Sequence, residues 1–366
     1  LTSAGAIHAR AHGDVSPEAS GDVTRSGRPN ILFVMADQLA AASLGCYGSG
    51  VESTPTLDGL AARGVRFDRC YAHSPVCAPK RATIFTGRSA ELHGVVFNNL
   101  ELTTDDHPLL TRVLQTDGYR TGGFGEFHFT SMLLPPPADM TRYHFDESCV
   151  VEDPRWGAWL DWIEREHPDH YDRALATCWA VPYRTAYGPD KRDMEAQWRR
   201  AIETHLAPRQ QASGWETMYT SPLPPELHQS TYITDLGLSF IERHRRDHPD
   251  RPFFCFVSYV DPHDPYDPPS PYDALFDPQA MPRPIPPAVE HYGPDALEKA
   301  RVNYLGFHKI KDNVDQQLRM LAHYHGSLRL LDDQVARILR RLEELGAAND
   351  TVVVFTTDHG DMMGDH

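Results

Sequence analysis

A chain of 366 residues, 40% hydrophobic and 23% charged, is long and apolar enough to bury a core in one large domain or two ordinary ones. Its formal charge of −16, from 35 Lys and Arg against 51 Asp and Glu, comes with no basic run to offset it, which argues against nucleic acid or an anionic membrane as a partner. A small anionic substrate would need a local cation, and 20 His beside the many Asp make a metal ion the natural one.

The longest apolar runs, Phe253 to Val260 among them, fall far short of the roughly 20 residues that span a bilayer. Residues 1–28 are rich in Ala, Gly, Ser and charge, lack the apolar segment of a signal peptide, and read as a flexible arm. Six Cys at irregular spacing, with no C-x-x-C pair, argue against a zinc ribbon or a dithiol site and favour a reducing, cytoplasmic setting. Because the first residue is Leu rather than Met, a removed leader and a periplasmic or secreted location stay open.

Ile31 to Ala36 is an unbroken apolar run, the pattern of a strand buried on both faces of a parallel sheet, and it ends at Asp37. Ser53 to Gly64 reads as a complete short helix, with a capping residue, Pro55 in the first turn, apolar spacing at Leu57, Leu60 and Ala61, and a terminal Gly. Leu109 to Asp117, followed by Gly118, repeats that scheme, and a strand is expected from Tyr119 to Phe124. From Pro135 to about Leu227 the periodicity fades while Pro, Trp, Tyr and His become dense, so an insertion over one face of the sheet is expected at about 135–227. Thr231 to Arg246 reads as an amphipathic helix, Pro252 to Val260 as a buried strand running into Asp261-Pro-His263-Asp-Pro-Tyr266, and Asp267 to Pro287 as a Pro-rich loop. Leu318 to Leu345 carries Leu321, Leu328, Leu331, Val335, Ile338 and Leu342 near helical spacing, with Gly346 as the stop. Thr351 to Thr357 is the next buried strand and runs into Asp358-His359.

Alternating strands and helices predict an α/β fold with a large, mostly parallel sheet, and ligands of such sheets bind beyond the carboxyl ends of the strands. Three expected strands end in metal-capable or acid–base residues: Asp37-Gln38, His263 and Asp358-His359. A polar residue must follow any buried strand, so one such ending means little, whereas three point to a shared site.

The most specific signal is Ser74-Pro-Val-Cys77-Ala-Pro79-Lys80-Arg81, followed by Thr86-Gly87. Pro79 and Gly87 bound a short helix with Cys77 at its N-terminus, where unpaired N–H groups and the helix dipole are expected to lower the thiol pKa and attract an anion. C-x-P-x-R followed by T-G resembles the signature of the sulfatase family in the alkaline phosphatase superfamily. Other segments resemble that family in its own order. Asn30 to Gly48, with Asp37, looks like the opening strand and first metal ligand. Gly118-Tyr-Arg-Thr-Gly-Gly-Phe-Gly125-Glu126-Phe127-His128 resembles its G-Y-x-T-x-x-x-G-K-W-H segment, Pro262-His263-Asp-Pro-Tyr266 its P-H-x-P-[YF] segment, and Thr357 to His366 its second metal-binding loop.

The resemblance implies an alkaline-phosphatase-like sandwich over residues 29–366, without the small C-terminal domain with which that family continues. It implies hydrolysis of sulfate esters, with Cys77 converted by formylglycine-generating machinery into formylglycine, whose hydrate is the nucleophile. A single Ca²⁺ or Mn²⁺ would be held by Asp37, Gln38, Asp358, His359 and the Cys77-derived hydrate, a set of mostly oxygen ligands. Arg81 would steady the hydrate, His263 would protonate the leaving alkoxide, and His128 would serve the substrate anion or the hydrate's second hydroxyl. Lys80 stands where many members have Ser, Glu126 replaces the Lys of G-K-W-H, and Gln38 replaces a second Asp. Asp-Gln with Asp-His resembles the branch of phosphonate monoester hydrolases, phosphodiesterases and choline sulfatase, whose pocket Asn98 and Asn99 would line. That makes a phosphonate monoester or phosphodiester hydrolase the alternative, with an inactive anion-binding homologue or a thiol-bearing phosphotransferase behind it. Glu126 beside the bound oxygens should disfavour doubly charged phosphate monoesters. Self-association is left open.

Overall fold

The computed structural model describes residues 27–134, 139–179, 191–214, 216–285 and 313–365. All of the expected N-terminal arm before Gly27 lies outside the described residues, as does His366 of the expected metal-binding loop.

Five strands form one sheet: β1 (Asn30–Ala36), β2 (Arg120–Gly125), β3 (Glu147–Val150), β4 (Phe253–Ser258) and β5 (Thr351–Thr357). Their order is β3-β2-β4-β1-β5 and every neighbouring pair is parallel. The register brings the carboxyl ends to one edge: Met35 pairs with Ser258, Ala36 with Thr357, and Gly125 with both Ser258 and Val150. The residues that follow these strands, Asp37, Glu126, Val151, Tyr259 and Asp358, are thereby gathered at one end of the sheet.

Each face of the sheet has its own core. On one, Leu32, Val34, Phe253, Cys255 and Val257 pack with Phe240 and Ile241 of the helix Gln229–Asp247 and with Leu328, Leu331, Val335 and Ile338 of the long helix Val314–Glu344. On the other, Met35, Phe254 and Phe256 meet Ala78, Ala82 and Phe85 of the helix Cys77–Thr86. Edge-on ring contacts bind that second core: Phe85 to Phe256 at 5.1 Å and Phe127 to Phe145 at 5.2 Å between centroids. Burying these rings clamps the Cys77 helix onto the sheet, because a fully buried side chain of this size is worth roughly 1.5–3 kcal/mol.

Most expected elements form with their ends shifted by a few residues. The last long helix starts at Val314, four residues before the first apolar position of the pattern, because the Asn313 side chain accepts from Gln316 N at 3.1 Å and caps it. Two expectations need correction. The stretch read as an insertion at 135–227 supplies β3 to the sheet itself, a strand of four residues, too short to show alternation. β5, expected to be buried, pairs only with β1 among the described residues and is partly open, with Val352 48% exposed.

Candidate active site

β1 delivers Asp37, which is fully buried, and the chain turns at once through Gln38 at φ 56°. That turn presents the Gln38 N–H to Asp358 Oδ1 at 3.1 Å, which ties the end of β1 to the end of β5. Asp358 Oδ1 also accepts from His359 N at 2.7 Å, and His359 Nδ1 lies 3.0 Å from the Gly360 carbonyl. This leaves His359 Nε2 facing inward, 3.6 Å from Asp37 Oδ1 and 3.2 Å from Cys77 Sγ. Cys77 Sγ in turn is 3.6 Å from Asp37 Oδ1. One donor atom each from Asp37, Cys77, Asp358 and His359 lies within 4.8 Å of the others, and all four residues are buried. The Gln38 side chain is turned toward Asp361, to which its Nε2 donates at 2.5 Å, so its amide oxygen is the atom left for a cation.

Arg81, one turn into the Cys77 helix and 1% exposed, fills the space beneath. Its Nε donates to Asp358 Oδ2 at 2.9 Å, its Nη1 to the Glu126 carbonyl at 2.9 Å and to Ser258 Oγ at 2.8 Å, and its Nη2 to Glu126 Oε2. Nη2 also stands 3.4 Å from Asp37 Oδ2. One guanidinium therefore braces three carboxylates from three strand ends, a task its planar fork suits and a lysine could not perform. The approach of Glu126 depends on Gly125 at φ 103°, where a Cβ would lie 1.8 Å from the Ser258 carbonyl oxygen.

His128, at φ 52° and 2% exposed, sits beyond Glu126. Its Nδ1 is 3.4 Å from Glu126 Oε1, and its Nε2 is 3.4 Å from Asp153 Oδ2 and 3.6 Å from Glu152 Oε2. Glu152 Oε1 accepts the His128 backbone N–H at 3.1 Å and so shapes the turn. Arg155 then pairs with Asp267 through two hydrogen bonds of 2.5 and 2.7 Å, fastening the loop after β3 to the loop after β4 that carries His263. His263 makes its nearest contact outside this group: its Nδ1 is 2.7 Å from the Asp264 carbonyl, and its ring stands 5.8 Å from that of Trp179. Asn98 is not at the carboxylates either. Its Oδ1 accepts the Ala78 N–H at 2.9 Å, closing one of the open donors at the start of the Cys77 helix.

Burial disfavours charge throughout the site, and the ion pairs decide which groups keep it. For Asp37, burial would raise the pKa, but His263 and Arg81 outweigh it and hold the carboxyl below its usual range. Burial pushes Glu126 well up and Asp358 up, against the pull of Arg81 on each. Burial also works against charge on His263, yet Asp264, Asp37 and Asp153 overcome it and push the imidazole up to about 10. The Cys77 thiol was expected to be acidified by the helix N-terminus. The reverse holds here: burial first, then Asp37, Asp358, Glu126 and Asp153, push it well above its ordinary value.

The strand ends thus bring together Asp37, Cys77, Arg81, Glu126, His128, Asp358 and His359, while Gln38, His263 and Asn98 stand around them. Glu152, Asp153 and Ser258 escaped the sequence reading. The first two follow Val150-Val151 as Asp37 follows β1, and that repeated ending, apolar run into carboxylate, was the available signal.

Comparison with known proteins places this architecture. The family model of sulfatases matches residues 29–149 and 161–366. An arylsulfatase of Clostridium perfringens is 27% identical over 343 residues, covering 93% of this chain and 64% of that protein. Human iduronate 2-sulfatase is 26% identical over 353 residues, covering 92% of this chain and 56% of that protein. The crystal structure of a phosphonate monoester hydrolase of Agrobacterium radiobacter has the same fold, with a TM-score of 0.65 at 24% identity, covering 93% of this chain and 64% of that one. The chain spans less than two thirds of the length of these relatives. With the alkaline-phosphatase-like parallel sheet, the motif residues converging at its carboxyl edge and a family match over most of its length, the chain belongs to the sulfatase family.

Proposed function

We propose that the protein hydrolyses sulfate esters of small anionic substrates, using formylglycine made from Cys77 and a divalent cation held by Asp37, Asp358, His359 and the Gln38 amide oxygen. The observation that carries this reading is the position of Cys77 Sγ, 3.2 Å from His359 Nε2 and 3.6 Å from Asp37 Oδ1, within one buried group of metal-capable donors. The donors fit a cation. Asp37 Oδ1 faces His359 Nε2 and Cys77 Sγ while Arg81 stands on the Oδ2 side, and two carboxylates with one imidazole are a donor set that holds a divalent ion. One imidazole among oxygens favours Mn²⁺ over Ca²⁺.

A bound cation would draw charge from the non-bridging ester oxygens, and formylglycine would supply a hydrated aldehyde as nucleophile where the thiol is too weakly acidic to serve. The protein's own groups do the rest. Arg81 holds Asp37 and Asp358 in place and sets positive charge beneath the reacting position. His263, charged in the metal-free site, can donate its proton to the leaving alkoxide. The Asn98 amide nitrogen, opposite the oxygen engaged by Ala78, is free in chemistry to donate to an anionic oxygen.

Gln38 and Glu126, together with the fold shared with the Agrobacterium enzyme, favour phosphonate monoesters or phosphodiesters as the second reading. Rates with an aryl sulfate, an aryl phosphonate monoester, an aryl phosphodiester and an aryl phosphate, each for wild type and Cys77→Ala, separate these. The proposal expects the sulfate to be turned over best and Cys77→Ala to lose nearly all turnover while melting normally. A higher kcat/KM for the phosphonate or diester promotes the second reading, and wild-type turnover in Cys77→Ala removes both.

A further inference from the structure

We propose that the site holds a second divalent cation, bound by Asp37, Glu126, His128 and Asp153, next to the one assigned to Asp358 and His359.

Four residues from three strand ends each offer a donor atom within 4.8 Å of the others, and all four are buried. Several of those atoms lack partners. Glu126 Oε1, Asp153 Oδ1, Asp37 Oδ2 and both ring nitrogens of His128 are shielded from solvent and make no hydrogen bond, although their residues are at most 2% exposed. Unsatisfied buried donors and acceptors are rare one at a time, and one such atom from each of four residues gathered together, a His128 ring nitrogen among them, leaves a place for a missing partner that accepts lone pairs. A cation is such a partner. A water molecule could satisfy some of these atoms, but it brings no charge.

Charge is what the site lacks. Asp37, Glu126, Glu152, Asp153 and Asp358 place five buried carboxylates around the single guanidinium of Arg81. Five buried carboxylates set against one guanidinium carry more negative charge, when ionised, than a single divalent ion offsets. Arg81 cannot serve both groups equally. Its Nη2 engages Glu126 Oε2, which leaves Oε1 turned toward His128. Asp37 belongs to both candidate groups, its Oδ1 being shared with Cys77 and His359, so it is placed to bridge the two cations. Glu152 serves from behind, by taking the His128 backbone N–H and lying 3.6 Å from its Nε2. Three carboxylates and one imidazole suit Mn²⁺ or Zn²⁺ rather than Mg²⁺.

The second site meets the proposed hydrolysis through Asp37 and Arg81, and it takes His128 from the substrate anion to the cation. Glu126, read from the sequence as a negative charge facing the substrate, becomes a ligand whose cation would offset the second charge of a phosphate monoester.

The test is stoichiometry. Protein stripped with a chelator is titrated with Mn²⁺ by calorimetry and followed by electron paramagnetic resonance. Two Mn²⁺ per chain with spin coupling between them is the expected result. Glu126→Gln and Asp153→Asn should each bind one, uncoupled, and Asp358→Asn should lose the other. The wild-type count needs no variant to fold: saturation at one Mn²⁺ per chain overturns the second site and means that protons on Glu126 do the neutralising. Two coupled Mn²⁺ in Asp153→Asn would overturn the ligand set. Two cations in a protein that hydrolyses no ester would keep this inference and remove the functional reading, and one cation with full sulfate turnover would do the opposite.

Discussion

Replacing Arg81 by Ala should turn the stability of this protein into a direct function of bound cation. The side chain is 1% exposed and braces Asp37, Glu126 and Asp358, so its loss leaves three carboxylates without their counter-charge. Donor oxygens of Asp37 and Asp358 lie within 4.8 Å of each other, which at an effective dielectric near 20 corresponds to a repulsion of about 3–4 kcal/mol. That agrees with the roughly 3–5 kcal/mol by which breaking a buried pair from one side destabilises proteins. At roughly 2 °C per kcal/mol, the lower end for a large chain, Arg81→Ala should melt about 6–10 °C below wild type when both are held in chelator. Saturating Mn²⁺ should recover more in the variant than in wild type, because the cation becomes the main positive charge left between the carboxylates. Lowering the pH should also shrink the gap, since burial already holds Asp358 and Glu126 closer to protonation. Differential scanning calorimetry with and without metal measures all three. A variant that melts within about 2 °C of wild type in chelator would refute the claim that Arg81 carries the charge balance of the site.

His263 gives a pH signature. Its pKa rises from 6.5 unfolded to about 10 folded in the metal-free site, so its contribution to stability is present below about 6.5 and is lost as the pH climbs toward 10. Chemical denaturation of chelated protein across that range should show wild type losing stability with pH faster than His263→Gln, and equal slopes would deny the coupling to Asp264, Asp37 and Asp153. Gly125→Ala should cost about 2–6 kcal/mol, because strain at positive φ adds to the overlap with the Ser258 carbonyl. It should also release Glu126 from Arg81, so a normally stable, fully metallated Gly125→Ala protein would contradict the account. Arg155→Met should weaken the join between the loops of Asp153 and His263, lowering thermal stability by about 3–5 kcal/mol while Cys77 chemistry survives in the folded fraction; an unchanged melting temperature would argue against that join.

The parallel sheet was legible because each of β1, β4 and β5 is a continuous apolar run ending in a functional residue, and because Pro, Gly and spacing mark the helices between them. Cys77 and Arg81 were legible together, since four residues on a helix place both side chains on one face. β3 was not, as four residues in a segment crowded with Pro and aromatics carry no period, and Glu152 and Asp153 were missed along with it. The acidity of Cys77 was misjudged for a different reason. A helix N-terminus is local and visible in sequence, whereas the burial that overrules it, and the four carboxylates that add to it, come from distant parts of the chain. Likewise Glu126 could be recognised as a departure from a motif, but only the fold reveals that it faces Arg81 and His128.

The most direct test of the account is the mass of the peptide containing Cys77, taken from protein that turns over an aryl sulfate. The aldehyde of formylglycine at Cys77, in a fraction that tracks specific activity from one preparation to another, is the predicted result. An unmodified thiol throughout fully active protein would contradict it.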